Sequence, residues 1–196
     1  IIMLRPQVRN VFELQHDEHR YSRVEPARLK LVMLGTVEPR KNYAAAVAIL
    51  NELRARLGQE VELHVVGRLG WGPDANLLQN TPGVVCYGYL SADEIRALIS
   101  SATFYLSTSH DEGLGLPLLE LQYSGIAVIA ARIPVFSEVL GQSGLLIDTG
   151  DAVKAADQIL AFCRDSALIQ QQAELARLNI QRWNALALAD KANAAA

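Results

Sequence analysis

The chain has 196 residues, 51% of them apolar and 20% charged, and a formal net charge of −3. This length and apolar content suit one domain with a substantial core, or a large domain with attached terminal helices. The negative balance and the lack of any block of clustered Lys and Arg exclude nucleic acid as an expected partner, and the longest apolar runs are strand-sized, too short to span a bilayer.

Residues 1–28 mix charge with proline and show no period, so a linker or N-terminal extension is expected there, with an extra strand and helix as the alternative. Within it, His16, Asp17, Glu18 and His19 lack further Cys or His at ligand spacing and form a polar linker rather than a metal site. From residue 29 strands and helices alternate. An apolar run at 29–34 precedes an amphipathic stretch at 43–57 whose Val47, Leu50, Leu53 and Leu57 share one face. A strand at 61–66, a loop rich in Gly and Pro, a short helical piece near 75–79 and a strand at 84–87 follow. Ser91-Ala92-Asp93-Glu94 is a capping box that opens a helix over 92–100. After a strand at 103–107, Pro117 is expected at the first helical position and Gly125 at the helix end. A buried strand at 127–130, a short helix at 135–140, a last strand at 145–147, and helices at 152–164, at 168–179 and beyond Trp183 complete the pattern.

Such alternation predicts an α/β fold: a doubly wound, Rossmann-like parallel sheet with helices on both faces. The expected domains are a linker or N-terminal extension over 1–28, a Rossmann-like domain over 29–180 and a C-terminal helix over 181–196. Cys86 and Cys163 stand far apart in apolar surroundings and are expected as buried thiols of a reducing compartment, which together with the absence of a visible signal peptide points to the cytoplasm.

In open α/β sheets ligands bind beyond the carboxyl ends of the strands. Two loops leaving such ends carry suitable residues. Gly35-Thr36-Val37-Glu38-Pro39-Arg40-Lys41-Asn42 offers a guanidinium fork and a mobile ammonium for a diphosphate, although an isolated Arg-Lys pair is more often a solvated one. Asp111-Glu112-Gly113-Leu114-Gly115-Leu116-Pro117-Leu118-Leu119-Glu120 places two carboxylates eight positions apart around a Gly-x-Gly turn that opens a helix. Carboxylates accept from sugar hydroxyls, and helix N-terminal amides attract phosphate. Glu112 as an ordinary loop acid and Glu120 as a mere helix-dipole partner are the plainer alternatives. His64 suits a structural place on its strand, His110 either lines the sugar pocket or faces water, and Trp71 either covers a ligand or packs within its loop. A Gly-x-Ser-x-Gly elbow and a dinucleotide-type Gly-x-Gly-x-x-Gly after a strand are both absent from the sequence, which removes support for hydrolase or dehydrogenase chemistry.

The Glu112-to-Glu120 segment resembles the E-x7-E signature of retaining glycosyltransferases of the GT-B fold, family 4, and Gly35–Asn42 resembles their phosphate loop. Val65-Val66-Gly67, Gly70-Trp71, Gly88-Tyr89-Leu90, Ala127-Val128-Ile129, Glu138-Val139 and 145–148 are also similar to that family's C-terminal, donor-binding domain, and Trp183 to the aromatic ahead of its closing helix. The resemblance implies catalytic roles for Glu112, Arg40 and Lys41: Glu112 on the donor sugar, the two cations on the diphosphate. It implies donor-binding roles for Glu120 on the ribose, Thr36, Gly113, Gly115 and Leu116 at the leaving group, and Tyr89 and Leu90 beside the base. It further implies a metal-independent, retaining hexosyltransferase of mannosyltransferase type with no cofactor, its donor a nucleotide-diphosphate sugar, GDP-mannose first and UDP-glucose second. The implied partner is the N-terminal acceptor-binding domain of the same enzyme, which has been lost if the chain, starting at Ile1 without Met, is a truncation between domains. Such a fragment is expected to be inactive alone, and its parent enzyme to sit at the cytoplasmic face of a membrane as a peripheral protein involved in polysaccharide biosynthesis. The alternatives are a non-catalytic nucleotide-sugar- or partner-binding module, and a GT-B sugar-nucleotide epimerase or phosphorylase.

Overall fold

A computed structural model describes residues 4–22 and 25–195. Six strands, β1 (Lys30–Leu34), β2 (Glu62–Val66), β3 (Val84–Gly88), β4 (Phe104–Ser107), β5 (Ala127–Ala131) and β6 (Gly144–Ile147), form one parallel sheet in the order β3-β2-β1-β4-β5-β6. The helices are α1 (Tyr43–Leu57), α2 (Asp74–Gln79), α3 (Ala92–Ser101), α4 (Leu116–Gln122), α5 (Pro134–Leu140), α6 (Ala152–Arg164), α7 (Ser166–Gln170) and α8 (Gln172–Ala195). The doubly wound α/β architecture expected from the alternating pattern is therefore present.

The strands are continuous apolar runs because both faces are covered. Side chains alternate across the sheet: Leu31, Met33, Leu63, Phe104, Leu106 and Ile129 face a core built with α1, α2, α6 and α7. Val32, Val66, Tyr105, Val128 and Ala130 face a second core built with α3, α4, α5 and α8. Val47, Leu50 and Leu53 of α1 are buried as their shared face requires, and the Ser91–Glu94 capping box forms. α4 starts one residue earlier than expected, at Leu116, so Pro117 occupies its second position, and Gly125 takes the left-handed conformation (φ +78°) that lets the chain turn into β5.

Residues 4–22 form neither strand nor helix, yet they are docked on the domain. Trp183 donates to the Pro6 carbonyl (3.0 Å), Asn184 accepts from the Val8 amide (2.8 Å), and Arg5 pairs with Asp190 (2.8 Å). Arg20 donates to the carbonyls of Ile99 and Ala102 (both 2.9 Å) at the end of α3. The Tyr21 hydroxyl donates to the Thr103 carbonyl (3.0 Å) and accepts from the Ala127 amide (2.5 Å), bridging the starts of β4 and β5. Anchors at single side chains leave no period, which is why a sequence pattern cannot find them.

The closing helices also differ from expectation. One long helix, α8, replaces a helix at 168–179 and a separate run after Trp183, and Trp183 lies fully buried inside it rather than ahead of it. Cys163 is buried and its thiol is pushed up to about 11 by that burial, whereas Cys86 is only half-buried; both are free. Tyr21→Phe leaves the Ala127 amide without its acceptor in a buried position and is expected to cost about 1–3 kcal/mol. Urea denaturation checks this, and an unchanged midpoint would contradict the bridging role of the hydroxyl.

Candidate functional site

Strand order reverses between β1 and β4, so the loops leaving these strands diverge and open a crevice at their carboxyl ends. After β1 the chain makes a 3-10 turn over Pro39–Lys41, and Asn42 adopts a left-handed conformation (φ +54°) while its side chain caps α1 by accepting from the Ala45 amide (3.3 Å). The turn presents Arg40 and Lys41 toward the loop after β4.

The two loops are stitched together. The buried Thr108 hydroxyl reaches the carbonyls of Lys41 (3.0 Å) and Asn42 (2.8 Å), and the His110 amide donates to the Arg40 carbonyl (2.8 Å). Across this seam Glu112 accepts from Arg40 Nη1 (2.6 Å), Lys41 Nζ (2.5 Å) and Ser109 Oγ (2.9 Å), and Arg40 Nε also pairs with Glu38 (2.6 Å). Burial pushes the Glu112 carboxyl up, but Lys41, Arg40 and Ser109 outweigh it and hold the group below the usual carboxylate range. Glu120 stands in contrast. It is half-buried on α4, has no hydrogen bond or ion pair with a described residue, and is raised by that burial.

Arg40, Lys41 and Glu112 are thus brought together, with Glu112 engaging the very cations expected to hold a diphosphate. Thr36, Tyr89 and Leu90 meet elsewhere, in a crevice of about 230 Å³ at the ends of β1, β2 and β3 shared with Gly35 and Gly67. That crevice depends on backbone contact: the Gly67 amide donates to the Gly88 carbonyl (2.7 Å), and a Cβ on Gly67 would lie 2.1 Å from the Gly35 carbonyl oxygen. Gly113 is exposed at the open end of the glutamate loop. Gly115 caps α4 in the left-handed region (φ +79°), and a Cβ there would meet Phe136 at 2.7 Å; Leu116 follows it, partly exposed, at the first position of α4.

His64 is buried between Tyr87 (2.7 Å to its hydroxyl) and Glu62 (2.9 Å), a structural place on β2. Trp71 does not pack within its loop; it is 68% exposed in the loop after β2, while the glycines flanking it lie against Thr36, Val37 and Pro39. His110 is exposed and lines a separate crevice at the ends of β4, β5 and β6. Among the described residues no group of three or more His, Cys, Asp or Glu is arranged to hold a metal. Thr108, Ser109 and Asn42 were missed by sequence reasoning. Hydroxyl residues directly at the carboxyl end of an apolar strand are the signal that marks the first two.

Residues 28–165 match the family model for glycosyl transferases group 1. The chain is 30% identical over 145 residues to a serotype-specific mannosyltransferase, WbdA, of Escherichia coli, covering 69% of this chain and 18% of that protein. It is 29% identical over 139 residues to the O-antigen chain mannosyltransferase B of Escherichia coli, covering 68% and 36%. The chain therefore spans less than two fifths of these relatives. Among solved structures, WaaG, a glycosyltransferase involved in lipopolysaccharide biosynthesis, superposes with a TM-score of 0.72 at 18% identity, covering 96% of this chain and 54% of that one. Sucrose-phosphate synthase from Thermosynechococcus elongatus gives 0.71 at 21%, covering 95% and 49%. The chain shares the fold of about half of each of these GT-B proteins.

The two glutamates are expected to affect stability in opposite senses. Glu112, with its folded pKa depressed, contributes stability that is present above the ordinary carboxylate range and lost as pH falls through the depressed value. Glu120, with its folded pKa raised, contributes stability only while protonated, fully below the ordinary range and lost as pH rises through the raised value. Glu112→Gln should therefore lower stability at neutral pH by about 1–3 kcal/mol, an effect that shrinks in acid, while Glu120→Gln should raise Tm at neutral pH. Calorimetric melts from about pH 4 to pH 8 check both signs, and a lowered Tm for Glu120→Gln would contradict the account.

Proposed function

Since the chain belongs to the glycosyl transferases group 1 family, we propose that it is the donor-binding domain of a metal-independent, retaining hexosyltransferase. Such an enzyme moves a sugar from a nucleoside diphosphate to an acceptor held by a further, N-terminal domain of the same protein. The observation that carries this reading is the convergence of Arg40, Lys41 and Glu112 where the strand order reverses.

Cleaving the bond between the anomeric carbon and phosphate builds negative charge on the diphosphate, and stabilising that charge is the main electrostatic task. Arg40 supplies a planar fork and Lys41 a point charge, the work that a metal ion does in enzymes with an Asp-x-Asp motif. The Glu112 carboxylate pairs with both cations, and Glu38 pairs with Arg40 as well. Diphosphate oxygens take over those cations on binding, and Glu112, still held by Ser109, is released to accept from the donor-sugar hydroxyls. Glu120, desolvated and unpartnered, gains from accepting ribose hydroxyls. Thr36 and the backbone at Gly113, Gly115 and Leu116 complete the leaving-group contacts, and the crevice bearing Tyr89 and Leu90 takes the base. Mannose is the favoured sugar and GDP-mannose the favoured donor because the relatives above are mannosyltransferases by name. Two free thiols fit a cytoplasmic site of action, and no described helix is long and apolar enough to cross a membrane, which agrees with peripheral attachment at a membrane. Without the acceptor-binding domain the chain binds donor and transfers little or nothing.

Each charge-assisted contact is worth about 1.5–3 kcal/mol, so Arg40→Ala should weaken GDP-mannose binding tenfold to a hundredfold by calorimetric titration. An unchanged affinity overturns the assignment of the cations. Glu112→Gln carries a separate expectation: by freeing Arg40 and Lys41 it should strengthen binding of GDP alone by roughly threefold to tenfold, about 0.7–1.4 kcal/mol, while weakening GDP-mannose relative to GDP. Equal losses for GDP and GDP-mannose would show that Glu112 supports the cations rather than competing for them.

A further inference from the structure

On the far side of the Ser109–His110 segment lies a second crevice of about 400 Å³, at the carboxyl ends of β4, β5 and β6. Its volume falls in the range of small-ligand sites, and none of the expected donor contacts lies in it. Ser109 belongs to its wall and also donates to Glu112 (2.9 Å), so the crevice and the glutamate loop share one residue.

Its polar groups are mixed in sign and left incomplete. Gln158 of α6 lines the crevice, and its Oε1 is withdrawn from solvent with no hydrogen-bond partner. A buried amide oxygen left without a donor is costly, and a ligand donor at this wall would relieve it. Asp148 directs one oxygen to the Gly150 amide (3.1 Å); the other lies 3.8 Å from Lys154 Nζ, an ion pair too long for a direct hydrogen bond. Arg132 spends one N–H on the Leu146 carbonyl (2.7 Å) and keeps the rest of its fork. Ile133 adds an apolar wall.

An anion answers only half of this set. Phosphate or carboxylate would suit Arg132 and Lys154, but it brings no donor for Gln158 Oε1 and is repelled by Asp148. A hydroxyl both donates and accepts, so adjacent hydroxyls on a ring satisfy Asp148 and Gln158 as acceptors and Arg132 and Lys154 as donors at once. We propose that this crevice is a saccharide subsite that holds a hexose unit through Asp148, Gln158, Lys154 and Arg132. Its shared wall with the Glu112 loop assigns that hexose to an outlying unit of the acceptor glycan, beyond the part held by the N-terminal domain, an assignment that rests on the transfer reaction proposed above; the binding of a hexose does not.

Saturation-transfer NMR on the 196-residue chain, with α-linked mannobiose as the probe, tests this. Saturable binding is expected, weakened at least tenfold by Asp148→Asn and by Gln158→Leu, while GDP affinity measured on the same samples changes less than twofold. Asp148 is half-exposed, so its substitution leaves the core intact and keeps the test valid independently of Gln158. Inorganic phosphate at equal concentration should not displace the disaccharide. Absence of mannobiose binding, equal binding by both variants, or displacement by phosphate overturns the subsite. Mannobiose binding through Asp148 and Gln158 without any GDP-mannose binding would leave the subsite standing and remove the transferase reading; the reverse result would do the opposite.

Discussion

The pairing of β1 with β4 is the constraint on which the site depends. These strands are sequence-distant neighbours at the point where the sheet changes direction, so the loops they emit diverge and leave a cleft that no helix fills. A cleft of this kind has to be held in register. Thr108 does so by reaching the carbonyls of Lys41 and Asn42, with the His110 amide on the Arg40 carbonyl as a second stitch. Because these bonds run to backbone, the positions of the two cations relative to the glutamate loop follow from main-chain geometry, and only the side-chain torsions remain free.

The electrostatics of the cleft are poised toward a ligand. Glu112 is nearly enclosed, with 9% of its side chain exposed, and it persists as a carboxylate because Lys41, Arg40 and Ser109 compensate its desolvation. Glu120 has no such compensation and carries the cost of burial unrelieved. An unpaired half-buried carboxylate is a poor choice for stability, and such groups mark candidate sites. Close backbone approach has the same logic: Gly67 against Gly35 and Gly115 against Phe136 leave no space for a Cβ, and each brings main chain to the rim where a ligand would touch it.

The second crevice extends this picture across the same strand ends. On one side of Ser109 Glu112 pairs with two cations, and on the other the crevice wall mixes donors and acceptors, although the same sheet supports both. The second crevice is set by residues of the loops after β5 and β6 and of α6, among them Gln158 with its unpartnered oxygen.

Much of this was legible without coordinates. Continuous apolar runs such as Leu31–Val32–Met33 specify strands buried on both faces, and the Ser91–Glu94 box marks a helix start, because hydrophobic period and capping are local properties of the chain. That Arg40, Lys41 and Glu112 lie near one another was legible because they sit on loops leaving the carboxyl ends of adjacent strands, whereas Glu120 lies apart on α4. Several features lay beyond local pattern. The docking of Leu14 and Tyr21, the burial of Trp183 within a continuous α8, and the exposure of Trp71 each depend on partners far away in sequence. So do the pairing of Glu112, expected on the donor sugar, with the cations expected on the diphosphate, the isolation of Glu120 among the described residues, and the orphaned oxygen of Gln158. Local sequence determines which residues can form an element or carry a charge; which charges meet, and which are left alone, is decided by the strand order that only the tertiary structure supplies.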